Sequence, residues 1–157
     1  MSSGLPKRTV KGNTITRSMA NPAGDRYLEA EVLSASPVKL VAILYRAAME
    51  TVAAARRHLR DGDIRERSRN VAKAAAILNE LMRSLNHSTG GEISRNLLEL
   101  YAYMQTRLIE ANTGQIEAPL AEVEQLLGTL ADAWRAAAPA LPKPVPEADY
   151  VPVSCTA

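Results

Sequence analysis

This chain of 157 residues has no phenylalanine, a single tryptophan, two histidines and one cysteine. One cysteine cannot form an intramolecular disulfide or a cysteine-based metal site, so a reducing compartment is the simplest expectation. No apolar run approaches the length of about 18 residues that a membrane-spanning helix needs. Residues 1–26 also lack the apolar middle of a secretory signal. We therefore expect no insertion into a membrane.

The usual ligands and catalytic motifs of helical enzymes are missing as well. A carboxylate-bridged metal pair in a bundle needs Glu-x-x-His, but Ala and Ser stand three residues before His58 and His87. Gly90-Gly91 precedes a helical pattern, but no Lys-Ser or Lys-Thr follows as in a phosphate-binding loop. We predict a protein with no cofactor, no bound metal, no catalytic residues and no enzymatic activity.

Charge is distributed unevenly along the chain, although the formal net charge is only +2. Residues 1–26 carry several basic side chains against Asp25 alone, whereas the remainder is close to neutral. Because a nucleic-acid-binding body needs a basic surface, we predict no nucleic-acid partner. A module that binds DNA through residues 1–26, with a steep salt dependence, is kept as an alternative.

Two helices are predicted before residue 90. The first runs from about Pro37 to Leu59, because Ser36 is a natural N-cap, Pro37 suits the first helical position, and Gly62 can end the helix. Arginines surround the turn that follows, and we expect them on a solvated corner with local charge pairs. The second helix repeats apolar residues every seven positions, as a bundle seam requires; these are Ile64, Val71, Leu78 and Leu85.

Two further helices follow with the same kind of periodicity. The third has an apolar face formed by Ile93, Leu97, Leu100, Tyr101, Met104, Leu108 and Ala111. The fourth has apolar residues at alternating spacings of four and three: Ile116, Leu120, Val123, Leu127, Leu130 and Trp134. Short connections force neighbouring helices of similar length to run antiparallel. We predict an all-α fold, an antiparallel up-down-up-down four-helix bundle over residues 27–138, with a flexible basic arm (1–26) and an extended Pro-rich tail (139–157).

The first and third helices carry more apolar surface than a bundle core needs. A helix that faces one core needs an apolar arc of only about 100° or somewhat more, but the arc around Leu44 in the first helix is much wider. Ile43 and Ala47 lie outside the predicted core stripe, as do Leu98 and Tyr103 in the third helix. This surplus predicts a groove that takes an amphipathic segment.

A set of short motifs also falls in a recognisable order between residues 27 and 136. These are Tyr27, Ser34-Ala35-Ser36-Pro37, Leu44-Tyr45, Leu59 with Gly62-Asp63, Leu81-Met82 with Leu85, Gly90-Gly91-Glu92-Ile93 with Asn96-Leu97, Leu100-Tyr101 with Tyr103-Met104, Glu110-Ala111-Asn112 and Trp134. Together they resemble the flagellin-specific export chaperone of bacterial flagella, the FliS family. Their order and spacing, rather than any single motif, carry the resemblance.

The resemblance implies a cytoplasmic, non-catalytic chaperone. Such a protein binds the disordered C-terminal segment of flagellin, prevents premature polymerisation and delivers the subunit to the export gate of the flagellar type III apparatus. The oligomeric state is left open between a monomer and a weak homodimer. A helical-bundle module that binds another amphipathic helix is the alternative. The expected flagellin-binding residues are Tyr27, Leu28, Leu40, Ile43, Leu44, Tyr45, Ala47, Leu97, Leu98, Tyr101 and Tyr103.

Overall fold

The computed structural model describes residues 24–26, 29–30 and 35–140. Residues 24–26 and 29–30 are helical and exposed, and they belong to a compact unit of their own, Met1–Ser34. The second unit, Ala35–Ala157, holds the bundle. Its helices are α1 (Pro37–Arg60), α2 (Ile64–Arg83), α3 (His87–Gly114) and α4 (Ala118–Ala137), followed by a 3-10 turn at Ala138–Ala140. The predicted boundaries after residues 26 and 138 stay predictions.

The helix starts follow the capping chemistry of the sequence. The Ser36 hydroxyl accepts a hydrogen bond from the Lys39 amide at 3.3 Å, and Pro37 occupies the first helical position. The Asp63 carboxylate accepts from the Glu66 amide at 3.0 Å and so caps α2. Between α1 and α2, Gly62 has φ +73°, a left-handed conformation that suits glycine. The predicted start of the first helix and its end near Leu59 are confirmed.

The four helices form a closed ring of neighbours. Helix α1 packs on α2 and α4, and α3 packs on the same two helices. Each connection is about three residues long, so successive helices run antiparallel. Within the residues that the structure describes there is no strand, and the predicted all-α four-helix bundle is confirmed.

The core alternates small and large side chains. Ala48, Val52 and Ala55 of α1 are fully buried and let α2 approach closely, while larger residues fill the space between the helices. The largest fully buried side chains come from the other helices: Leu78, Leu81, Tyr101, Met104, Leu108, Leu120 and Leu127.

Three isoleucines that we predict in the core are exposed instead. Ile64 is 55% exposed because it is the first residue of α2, and Ile116 is 50% exposed because it precedes α4. Ile93 is 72% exposed and follows a kink at Gly91, where φ is +51° and ψ is −125°. The apolar pattern therefore continues past the starts of α2 and α4 at Ile64 and Ile116, and at Ile93 it lies next to a kink within α3. Helix α3 also begins earlier than predicted, at His87.

The arginines near the first turn are not all on a solvated corner, which corrects the sequence prediction. Arg67 is only 3% exposed, and its guanidinium donates to the Asn112 side chain at 3.1 Å and to the Asn112 carbonyl at 3.2 Å. Arg56 crosses to α4, where it meets Glu117 at 2.7 Å and Glu124 at 2.5 Å. We call these five residues the polar lock. They join α2 to the end of α3, and α1 to Glu117 and the start of α4, at the end of the bundle that holds the α1–α2 and α3–α4 connections.

Candidate functional site: an uncharged cleft at one end of the bundle

An open cleft of about 400 Å³ lies at the opposite end of the bundle from the polar lock. The start of α1, the α2–α3 connection, the start of α3 and the end of α4 meet there. The described residues that line the cleft are Val41, Tyr45, Ser84, Leu85, Asn86, Thr89, Gly90, Ile93, Ser94, Leu97, Tyr101 and Trp134. None of them carries a charge. The cleft therefore suits an apolar, uncharged ligand.

The α2–α3 connection builds one wall of the cleft. The Asn86 side-chain oxygen caps α3 by accepting from the amides of Ser88 at 3.1 Å and Thr89 at 3.3 Å. The Ser94 hydroxyl donates to the Asn86 carbonyl at 3.0 Å and so ties α3 back to the connection. The kink at Gly91 separates the capped first turn from the rest of α3. Because its φ and ψ lie in a region that only glycine adopts readily, the wall depends on Gly91.

Three aromatic side chains form the buried part of the cleft. The hydroxyls of Tyr45 and Tyr101 lie 2.5 Å apart, and these two residues are only 2% and 1% exposed. The Trp134 ring packs edge-on against Tyr45, with ring centres 6.5 Å apart. Its indole N–H donates to the Val38 carbonyl at 3.0 Å, which fixes the end of α4 to the start of α1. Burial raises the pKa of both tyrosine hydroxyls, so both remain protonated at neutral pH.

A second apolar surface runs along the outside of α3. Leu98 and Ile109 are 36% and 62% exposed and lie three helical turns apart, on the same face as Ala102 and Gln105. The Gln105 amide donates to the Ala75 carbonyl of α2 at 3.3 Å, so this face borders α2. We call the surface formed by Leu98, Ala102 and Ile109 the α3 ridge.

Tyr103 lies on a different side of α3 from the α3 ridge. Its ring is 44% exposed, and its hydroxyl donates to the Glu122 carboxylate of α4 at 2.6 Å. This hydrogen bond raises the pKa of Tyr103 and lowers that of Glu122. Arg107 also meets Glu122, at 2.6 Å. Leu98 and Tyr103 are therefore both accessible but do not form one continuous surface.

The structure separates the predicted flagellin-binding residues into several places. Tyr45, Leu97 and Tyr101 come together in the cleft, although α1 and α3 do not pack side by side along the bundle. On α1 the side chains of Leu40, Leu44 and Ala47 are half-buried. Tyr27 and Leu28 lie outside the described residues.

Ile43 differs from the sequence expectation. We expect its side chain to be uncovered because it lies off the core stripe, but it is only 5% exposed, so that expectation is wrong. It is nevertheless not part of the main core cluster. The periodicity of α1 identifies which side chains face the other three helices, but it does not reveal what covers the rest.

Trp134 and Ile93 line the cleft, although sequence reasoning assigns them only to the core. A lone tryptophan near a helix end is a usable signal, because its indole N–H needs an acceptor and often stands at a half-buried surface. Ile93 stands two residues after Gly91, and the pair Gly90-Gly91 predicts a break in the helix. Both signals are local, but the cleft itself depends on three chain segments that meet only after folding.

Neither a metal-ligand cluster nor a membrane-spanning helix occurs within the described ranges. There, no group of three or more His, Cys, Asp or Glu side chains is arranged to hold a metal ion. No helix of those ranges is long and apolar enough to cross a membrane. The candidate site is thus the cleft, together with the apolar surface of α3.

The sequence of this chain matches one protein family and several named relatives. The family described as "Flagellar protein FliS" matches residues 19–141. The flagellar secretion chaperone FliS of Salmonella typhimurium is 39% identical over 113 residues, which cover 71% of this chain and 84% of that protein. The flagellar secretion chaperone FliSB of Pseudomonas aeruginosa is 36% identical over 107 residues, which cover 68% and 85%.

A solved structure also resembles this chain. It is described as the crystal structure of a flagellar chaperone from bacteria, with a TM-score of 0.63 and 18% sequence identity. The similarity covers 76% of this chain and 98% of the other. At this identity, it supports the fold alone.

Proposed function

The chain belongs to the FliS family of flagellar proteins, and on that premise we propose that it is a non-enzymatic export chaperone for flagellin. It acts in the bacterial cytosol, binds the C-terminal segment of flagellin, prevents premature polymerisation and delivers the subunit to the flagellar type III export gate. Its named relatives are flagellar secretion chaperones, which supports the general role. Flagellin as the client and the export gate as the destination are the specific parts of the proposal.

One observation carries the proposal at the level of the structure: uncharged apolar surface is left open on a bundle whose core is already complete. The α3 ridge lies outside the core, and the cleft opens beside the core residues Tyr45 and Tyr101. An amphipathic segment docks by apolar anchors that recur every three or four residues, and the α3 ridge offers partners at that spacing. A disordered client that folds on binding can cover both places, because such segments wrap large surfaces.

The client surface that we propose joins the cleft to the outside of α3. In the cleft it uses Tyr45, Leu97 and Tyr101, and on α3 it uses Leu98 and Tyr103. The half-buried residues of α1, together with Tyr27, Leu28 and Ile43, stay predicted contacts. Release at the export gate requires a moderate affinity, which coupled folding and binding provides because ordering the client has a cost.

The test is calorimetric titration with the C-terminal segment of the organism's own flagellin, about 50 residues long. We expect 1:1 binding with a negative heat-capacity change, because apolar surface is buried. Leu98→Asp places a charge on the α3 ridge and is expected to weaken binding at least tenfold, roughly the effect of losing one apolar anchor.

Asn96→Asp is the matched control, since it adds the same charge two residues away, on another face of α3. Its affinity is expected to equal that of the wild type. Thermal melts of both variants check that the bundle remains folded. Equal weakening by both variants would assign the effect to charge alone, and no binding by the folded wild type would overturn the proposed function. In that case the alternative is a bundle that binds a different amphipathic helix.

A further inference from the structure

We infer that the paired hydroxyls of Tyr45 and Tyr101 act as a hydrogen-bond donor inside the cleft, and that they recognise a backbone carbonyl of an uncharged, apolar stretch of the client. This inference rests on the proposed function. It adds a hydrogen-bond donor to a site that otherwise offers mainly apolar contacts.

The two hydroxyls hold one hydrogen more than their mutual bond uses. Each tyrosine hydroxyl has one hydrogen and can also accept. One hydrogen lies between the two oxygens, which are 2.5 Å apart, so the other hydroxyl still has a hydrogen to donate. Among the described residues, each hydroxyl has only the other as its partner. Both residues line the cleft, and we place the acceptor of the spare hydrogen there.

Both tyrosines keep their hydrogens at neutral pH. Burial is the main cause that raises the pKa of Tyr45 and of Tyr101, and the hydrogen bond between the two hydroxyls raises that of Tyr101 further. An ionised pair would share one hydrogen and would have none to offer a ligand. The pair in the cleft is therefore a donor.

The other donors deep in the cleft are already used by the protein. The Trp134 indole donates to the Val38 carbonyl, and the hydroxyl of Ser94 donates to the Asn86 carbonyl. Ser84, Asn86 and Thr89 lie at the exposed rim, and the Ser84 hydroxyl donates to the Leu81 carbonyl at 2.7 Å. The tyrosine pair is thus the buried donor that remains for a ligand, and a bound apolar segment that offers no acceptor leaves a hydrogen unsatisfied.

The acceptor is neutral because the cleft provides nothing to balance a negative charge. No described residue that lines the cleft is a lysine, arginine or histidine. A buried carboxylate without a cation is strongly disfavoured, which excludes acidic side chains and a chain terminus. A backbone carbonyl beside an apolar side chain meets both conditions. The cleft, at about 400 Å³, is large enough for such a group, since small-ligand pockets begin at about 300 Å³.

The experiment compares the wild type with Tyr45→Phe, Tyr101→Phe and the double variant, each titrated with the flagellin segment of about 50 residues. A single variant keeps one hydroxyl with one hydrogen, so we expect affinities within about threefold of the wild type. The double variant keeps both rings but has no donor, and we expect it to bind about tenfold more weakly, as for one lost hydrogen bond. Thermal melts confirm that each variant is folded.

Thr51→Val is the matched control. Thr51 is also a buried hydroxyl of α1, at 6% exposure, but it donates to the Ala47 carbonyl at 2.7 Å and does not line the cleft. Its removal is expected to leave the affinity unchanged. A second readout replaces client amides one at a time by esters, whose carbonyls accept hydrogen bonds more weakly. One ester is expected to weaken binding to the wild type and to leave binding to the double phenylalanine variant unchanged.

The outcomes separate this inference from the proposed function. If the wild type binds and the double variant binds equally well, the inference is overturned and the proposed function stands. The same holds if no ester distinguishes the two proteins. If the folded wild type does not bind the segment at all, the proposed function is overturned and this inference with it.

Discussion

The two ends of the bundle differ in how completely their buried polar groups are paired within the chain. At the polar lock, the charges of Arg56 and Arg67 are matched within the chain by carboxylates, an amide and a carbonyl. At the cleft no described lining residue is charged, and the tyrosine pair has one hydrogen more than its mutual bond uses. A complete set of internal partners favours stability, whereas an incomplete set favours binding. We therefore expect substitutions at the lock to change folding and substitutions at the cleft to change affinity.

Arg67→Ala is expected to have the largest effect. It removes two hydrogen bonds of a buried guanidinium, leaves the Asn112 oxygens without these donors and opens a cavity between α2 and α3. We expect the free energy of unfolding to fall by about 3 kcal/mol, measured by urea denaturation. The affinity of the folded protein for the flagellin segment should stay unchanged.

Arg69→Ala is the control for this substitution. The Arg69 side chain is 61% exposed and pairs with Glu66 one turn away, so its loss should cost no more than about 0.5 kcal/mol. The distinction between the two ends fails if Arg67→Ala lowers the free energy of unfolding by less than about 1 kcal/mol. It also fails if the folded variant binds flagellin more weakly.

Gly91→Ala is expected to have an intermediate effect, which appears in both stability and binding. The backbone at Gly91, with φ +51° and ψ −125°, is strained for any residue with a Cβ, at a cost of about 1–3 kcal/mol. Relief of that strain moves the wall of the cleft, so flagellin binding should also weaken.

Gly62→Ala tests the same kind of substitution at the other end. Its φ is +73° and a Cβ there meets no atom within 4 Å, so we expect a cost of about 1 kcal/mol with flagellin affinity retained. Calorimetry and denaturation on both variants provide the comparison. Unchanged affinity in Gly91→Ala would show that the cleft does not depend on the kink.

The smallest expected effect is a pH dependence of stability that originates at the cleft. The pKa of both Tyr45 and Tyr101 is raised above the ordinary value of 10.0. The unfolded chain therefore loses these protons first, so the stabilisation is complete below about pH 10 and is lost as the pH rises further. The double phenylalanine variant should lose less stability between about pH 8 and about pH 11 than the wild type. Parallel curves of unfolding free energy against pH for the two proteins would show that burial does not protect the pair from ionisation.

The sequence predicts the helices because their determinants are local. Ser36 and Pro37 start α1 as capping chemistry requires, and apolar periodicity identifies all four helices and most of the core. The same pattern fails for Ile64 and Ile116, since periodicity has no information about where a helix begins. Burial of Arg67 was not predictable either, because its partner Asn112 is 45 residues away in the chain.

The candidate site is predicted less completely than the fold, for the same reason. Tyr45, Leu97 and Tyr101 are identified from the sequence, but as members of a groove along two helices rather than of a cleft at one end. The cleft requires the kink at Gly91 and the position of Trp134. Both features shape the cleft only through contacts between segments that are distant in the sequence. Whether Leu98 and Tyr103 contact the client stays a prediction.

The hydrogen bond from Trp134 to Val38 has a consequence for the order in which the protein is built. The contacts between α1 and α2, α2 and α3, and α3 and α4 join successive helices, but this bond spans 96 residues. Contacts of long sequence separation form late, since the loop between them must close first. During synthesis the ribosome must release nearly all of α4 before the cleft acquires its last wall. The part of the proposed client site that lies in the cleft is therefore complete only after the end of α4 has packed against the start of α1.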